Sequence, residues 1–98
     1  MIMHFVYILY SKKLNRFYIG ETFDVLVRIK RHNSDYYDNK FTAKGKPWEL
    51  FLKVDCQHKK QALKVEQHIK KMKSKVYIKN MKKYPEIVNK LLEKYKDC

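Results

Sequence analysis

Apolar residues first gather in Phe5 to Tyr10, FVYILY, a short run rich in aromatic and β-branched side chains that predicts a strand buried on both faces. Ser11 to Asn15, SKKLN, is a polar turn, and Arg16 to Gly20, RFYIG, resumes the apolar character, so the two runs read as a β-hairpin. From Asp24 the spacing becomes helical. Val25, Leu26 and Ile29 are apolar, Lys30 and Arg31 are solvated, and Thr22 or Asp24 can cap the amino end of a helix running to about Asn33. Ser34 to Pro47 is polar and aromatic without a clear period, and Gly45 and Pro47 punctuate its end, which predicts a loop with short turns. Trp48 to Cys56, WELFLKVDC, alternates as a third strand. From His58 to Met72, Ala62, Leu63, Val65, Ile69 and Met72 gather on one side of a helix that packs on the sheet. Ser74 caps a further helix through about Lys83, and Pro85 starts a last one, to about Lys96, whose Ile87, Val88, Leu91 and Leu92 form an apolar stripe. The order β–β–α–β–α–α–α points to an α+β fold with a small antiparallel sheet of three strands, flanked by helices and followed by a helical C-terminal tail.

The chain has 98 residues, a length that suits one domain, with a core over about 4–83 and a C-terminal helix over about 85–96. Hydrophobic residues make up 45%, and Gly plus Pro only four positions, which excludes disorder throughout. No run approaches the roughly 18 to 20 apolar residues of a membrane span, and Met1 to Tyr10 lacks the marks of a signal peptide, so a cytoplasmic protein is expected. Cys56 and Cys98 are too few for a disulfide framework and lack the spacing of a structural zinc site.

Charge narrows the function classes further. The 23 Lys and Arg against 10 Asp and Glu give a net +13, which calls for a polyanionic partner. Only Arg16, Arg28 and Arg31 are arginines. Lysine is a flexible point charge where arginine is a bidentate fork, so backbone contact is favoured over base reading. Anionic lipid fits less well, because no single helix sets its basic residues opposite a strong exposed apolar face.

Several polar residues occupy positions where packing alone would place apolar ones. Arg28 and His32 are four apart on the first helix, and the helical wheel sets both beside Val25, at the sheet. Glu66 falls inside the apolar arc of the following helix, between Ala62 and Leu63 around the wheel. Tyr7 and Tyr18 stand on the hairpin, and a phenol serves as a base once its surroundings favour deprotonation. Taken singly, each has a packing or ion-pair role. If the five converge, they supply a base for water, a cationic clamp for phosphate and a carboxylate for a divalent ion, the set that phosphodiester hydrolysis requires.

Val6-Tyr7-Ile8 and Tyr18-Ile19-Gly20, with the two tyrosines eleven residues apart, resemble the paired signature of the GIY-YIG nuclease superfamily. Arg28 ten residues after Tyr18, His32 one turn later and Glu66 on the next helix continue that pattern. Arg31-His32-Asn33, Phe41-Thr42 and Pro47-Trp48-Glu49-Leu50 are similar to small stand-alone members related to the amino-terminal nuclease domain of the bacterial excision-repair protein UvrC. The resemblance implies a DNA endonuclease with Mg²⁺ or Mn²⁺ held by Glu66. It implies Tyr7 as general base, His32 as acceptor of its proton, Arg28 as the phosphate clamp, and Tyr18 orienting water or phosphate. Gly20 lets the chain pass close to a phosphate.

Glu21 departs from the superfamily, several of whose members carry an assisting lysine directly after the second motif's glycine. Asn80 is a candidate match to an asparagine that some members place after the metal-binding glutamate. Lys40, Lys44 and Lys46 can follow a phosphate backbone, and Tyr36-Tyr37 can stack on unpaired bases. His4, His58 and His68 share no metal-ligand spacing and are expected at the surface or in packing. With no second recognition domain in view, branched, flap or single-stranded junction DNA is the expected substrate, acted on in repair or recombination. The alternative function is a non-catalytic nucleic-acid-binding module, or a partner subunit, with the same fold.

Overall fold

The computed structural model describes residues 3–34 and 40–97, without the side chains of Lys40 and Phe41. Its elements run β1 (His4–Ser11), β2 (Arg16–Thr22), α1 (Val25–His32), α2 (Lys40–Lys44), β3 (Trp48–Cys56), α3 (Lys59–Met72), α4 (Lys75–Lys83) and α5 (Pro85–Lys94). The three strands form one antiparallel sheet in the order β2-β1-β3, so β1 is central and β2 is an edge. This is the α+β arrangement expected, a three-stranded antiparallel sheet flanked by helices and ending in a helix.

A central strand covered on both faces needs apolar side chains at successive positions, and Val6, Tyr7, Ile8 and Leu9 are all fully buried. Because side chains alternate along a strand, these four divide between two layers. Val6 and Ile8 join Val54 and Cys56 of β3, Ala62, Val65 and Ile69 of α3, Ile78 and Met81 of α4, and Leu91 of α5 in the larger cluster. Tyr7 and Leu9 join Val25 and Trp48 in the smaller one, with Phe5, Leu14, Tyr18 and Ile29 packed against it. The apolar stripe of α5 thus closes the helical layer.

Three helices start on side-chain caps. Asp24 accepts from the Val27 amide at 3.1 Å, and Ser74 accepts from the Tyr77 amide at 3.1 Å. His58 caps α3 with its ring, accepting from the Gln61 amide. The stretch 34–47 differs from the loop expected of it, because Lys40–Lys44 forms the short helix α2. Its hold is tertiary: the Trp48 indole donates to the Thr42 carbonyl at 2.9 Å, and the Ser11 hydroxyl donates to the Gly45 carbonyl at 2.7 Å. Tyr36 and Tyr37 lie outside the described residues, as does Cys98. Among the described residues, no helix is long and apolar enough to cross a membrane.

Candidate active site

The smaller layer gathers the aromatic and basic candidates. Tyr7 on β1 is paired in register with Gly20 on β2, and Leu9 with Tyr18, so the hairpin sets both phenols on one face. α1 crosses that face through Val25 and Ile29, and its last residue, His32, points inward and is only 2% exposed. The His32 Nε2 lies 3.1 Å from the Tyr7 hydroxyl in a buried hydrogen bond. The Tyr18 ring packs 4.4 Å from the His32 ring, and its far side meets Trp48 edge-on at 6.2 Å.

Gly20 is required by Tyr7 itself. A Cβ at this position would lie 2.5 Å from the Tyr7 hydroxyl oxygen and 2.6 Å from its ring carbon, so the absent side chain is the space in which the phenol sits.

Arg28 stands half-buried one turn before His32. Burial, reinforced by the Arg28 charge, pushes the His32 pKa down to about 4. At neutral pH the imidazole is therefore neutral and has one ring nitrogen able to accept a proton. With the ring protonated at Nδ1, the Tyr7 hydroxyl donates to Nε2.

The remaining candidates sit elsewhere. Glu66 belongs to α3, whose buried residues pack on the Val6 and Ile8 face; its side chain is 15% exposed and pairs with Lys70 at 3.5 Å. Tyr7, Tyr18 and His32 thus converge, Arg28 acts on His32 through its charge, and Glu66 is carried by α3, which packs on the other face of the sheet. Among the described residues no three His, Cys, Asp or Glu side chains gather around a common point. A single carboxylate still fits Mg²⁺ or Mn²⁺, which keep several waters and take other ligands from substrate phosphate. Glu21 is held by the Nδ1 of His4 on β1. Asn80 is half-buried on α4, and its carbonyl accepts from the Tyr84 amide. Lys44 is exposed at the end of α2, Lys46 is half-buried just before β3, and the Lys40 side chain lies outside the described residues.

A family model described as the GIY-YIG catalytic domain matches residues 3–84. The chain belongs to the GIY-YIG family. No curated protein and no solved structure matches it. The matched residues take in the whole tyrosine and histidine cluster as well as Glu66, while α5 follows them in the chain. GIY-YIG domains are endonuclease domains, hydrolases whose substrate is DNA.

Within this GIY-YIG domain three side chains shape the site without having been singled out as site residues from the sequence. Trp48 walls off Tyr18. Asn33, the C-cap of α1, brackets the Trp48 backbone, accepting from its amide at 2.6 Å and donating to its carbonyl at 2.9 Å. Lys53 is the register partner of Tyr7 on β3 and so shares its face, with its ammonium 5.0 Å from the Phe5 ring centre. The alternation of WELFLKVDC carried the signal for Lys53, because it sets Lys53 and Val54 on opposite faces.

Proposed function

We propose that this chain is a divalent-metal-dependent endonuclease that hydrolyses DNA phosphodiester bonds, selects DNA by shape, and acts in repair or recombination in the cytoplasm. The observation that carries the reading is the buried Tyr7 to His32 hydrogen bond, set beside Tyr18 and Arg28 in a GIY-YIG domain. Shape selection is supported by the excess of lysine over arginine, and a cytoplasmic setting by the buried free thiol of Cys56. The resemblance to UvrC relatives supports a place in repair.

The proton path follows from the geometry. As water attacks phosphorus, its proton passes to the Tyr7 oxygen while the Tyr7 proton passes to His32 Nε2, and solvent protonates the leaving alkoxide. The neutral state of His32 is what makes this acceptor available. Arg28 balances the charge that builds on the phosphoryl oxygens, and Tyr18 orients the water or the phosphate. Tyr7 is 0% exposed, so DNA binding has to open a path to its hydroxyl. Glu66 would hold the divalent ion, which supplies Lewis-acid neutralisation of phosphate charge when bound. Glu21, fixed by His4 where some relatives carry a lysine, favours the second reading, a GIY-YIG module that binds DNA and does not cut it.

Cleavage of end-labelled flap, fork, single-strand and duplex DNA with Mg²⁺, with Mn²⁺ and with chelator decides between them. Metal-dependent cutting that Glu66→Ala abolishes, with DNA affinity nearly unchanged, is the expected result. Tyr7→Phe is expected to slow single-turnover cutting by about 10² to 10⁴ while still binding DNA. Salt-sensitive binding without any cutting would establish the binding module instead.

A further inference from the structure

On the opposite side of the sheet from the tyrosines, the edge strand β2 meets the turn between α3 and α4, and the junction encloses a cleft of about 270 Å³. Four cations line it: Arg16 from the start of β2, Lys70 from the last turn of α3, Lys73 from the turn itself, and Lys75 from the start of α4. Lys73 adopts the left-handed backbone conformation, φ 46°, that ends α3. Lys75 donates to the Asn15 carbonyl at 2.6 Å, and Lys70 shares the Glu66 carboxylate. Four positive charges against one nearby carboxylate leave the cleft strongly electropositive. Its floor is apolar, formed in part by Phe17 and Ile19. A cationic rim over an apolar floor matches a nucleotide, whose phosphates are anionic and whose base is flat and partly apolar.

β2 links this cleft to the tyrosine face. Tyr18 and Gly20 point to one side of the strand, and Phe17 and Ile19 to the other. Among the described residues no further strand pairs outside β2, so a nucleic-acid strand that passes around this edge touches both faces.

We propose that the Arg16, Lys70, Lys73 and Lys75 cleft is a second binding site that holds a single-stranded DNA segment flanking the phosphate at the tyrosine face. The connection between the two sites rests on the nuclease reading of that face, whereas the test of the cleft does not. Anisotropy of a fluorescein-labelled oligodeoxythymidylate of about 12 nucleotides, measured in chelator over a salt series, reads binding with no cutting. Arg16→Gln combined with Lys73→Gln is expected to weaken binding about tenfold at low salt and to reduce the salt slope by about 1.4. Lys90→Gln combined with Lys94→Gln, an equal charge loss on exposed positions of α5, is expected to change affinity less than twofold. Equal losses in the two double variants would overturn the inference and leave only bulk charge. Displacement by thymidine 5′-monophosphate as efficient as by unlabelled strand would also overturn it, because the cleft would then take mononucleotides. If the wild type binds through the cleft yet cuts nothing, the nuclease reading fails and the cleft stands.

Discussion

His32 is a histidine whose folded pKa, about 4, lies below its ordinary 6.5. The unfolded chain therefore binds a proton between those values that the folded chain excludes, and stability falls as pH drops through that window. The stabilisation is complete above pH 6.5 and is lost by about pH 4, a change on the order of 3 kcal/mol. Urea unfolding of wild type and His32→Gln across this range should show the slope in the wild type and its loss in the variant. In the proposed proton path the same shift sets the acid limb of activity, and the pH profile of kcat/KM for DNA cutting should bend near 4, not near 6.5. A bend at the ordinary histidine value would remove His32 from the proton path. Gly20 is the other residue whose identity is fixed at the atomic level. Gly20→Ala drives a methyl into the fully buried Tyr7 phenol; about 1 to 3 kcal/mol of lost stability is expected by denaturant titration, together with loss of cutting.

Between elements, the site depends on how α1 is tied to β3. Asn33 makes two hydrogen bonds to the Trp48 backbone, one as acceptor and one as donor, so Asn33→Ala removes both and leaves polar backbone groups without that partner. A cost of about 1 to 3 kcal/mol is expected, and because His32 is the neighbouring residue, cutting should fall more than thermal stability predicts. Parallel melting curves and single-turnover rates check this. The elements themselves were largely legible in the sequence. FVYILY and RFYIG declared a hairpin through residue type and an intervening polar turn, and Asp24 declared the start of α1 through capping chemistry. The wheel of α1 placed His32 at the sheet, because its spacing puts it on the face that Val25 and Ile29 bury, whereas its pairing with Tyr7 was implied by the family resemblance alone. α2 was not legible, since its five residues carry no apolar period and the bonds that hold this segment come from side chains outside it, Trp48 to Thr42 and Ser11, remote in sequence, to the adjoining Gly45. Lys53 and Trp48 escaped for a related reason. Their nearness to the tyrosines is a matter of which residue of β3 faces which of β1, and a register shift between Ile8 and Leu9 offsets even a simple count.

At the scale of the whole molecule, the sheet carries a helical layer that holds the fold and a thinner layer that holds the tyrosines. Leu91 of α5 is 5% exposed within the helical layer, and Leu91→Ala should cost about 2 to 5 kcal/mol while leaving the shape of the pH profile unchanged. A thermal melt beside a cleavage profile tests both halves of that expectation. The net charge of +13 also makes any measured DNA affinity a function of salt, so comparisons among variants belong at one ionic strength. The alternation along β1 has one more consequence, which is a rule of parity. Even positions, Val6 and Ile8, pack the helical layer, while odd positions, Tyr7 and Leu9, pack the layer of the tyrosines. Neighbours joined by a single peptide bond thus belong to different layers, and a conservative exchange at an even position reaches the tyrosines only through the sheet itself.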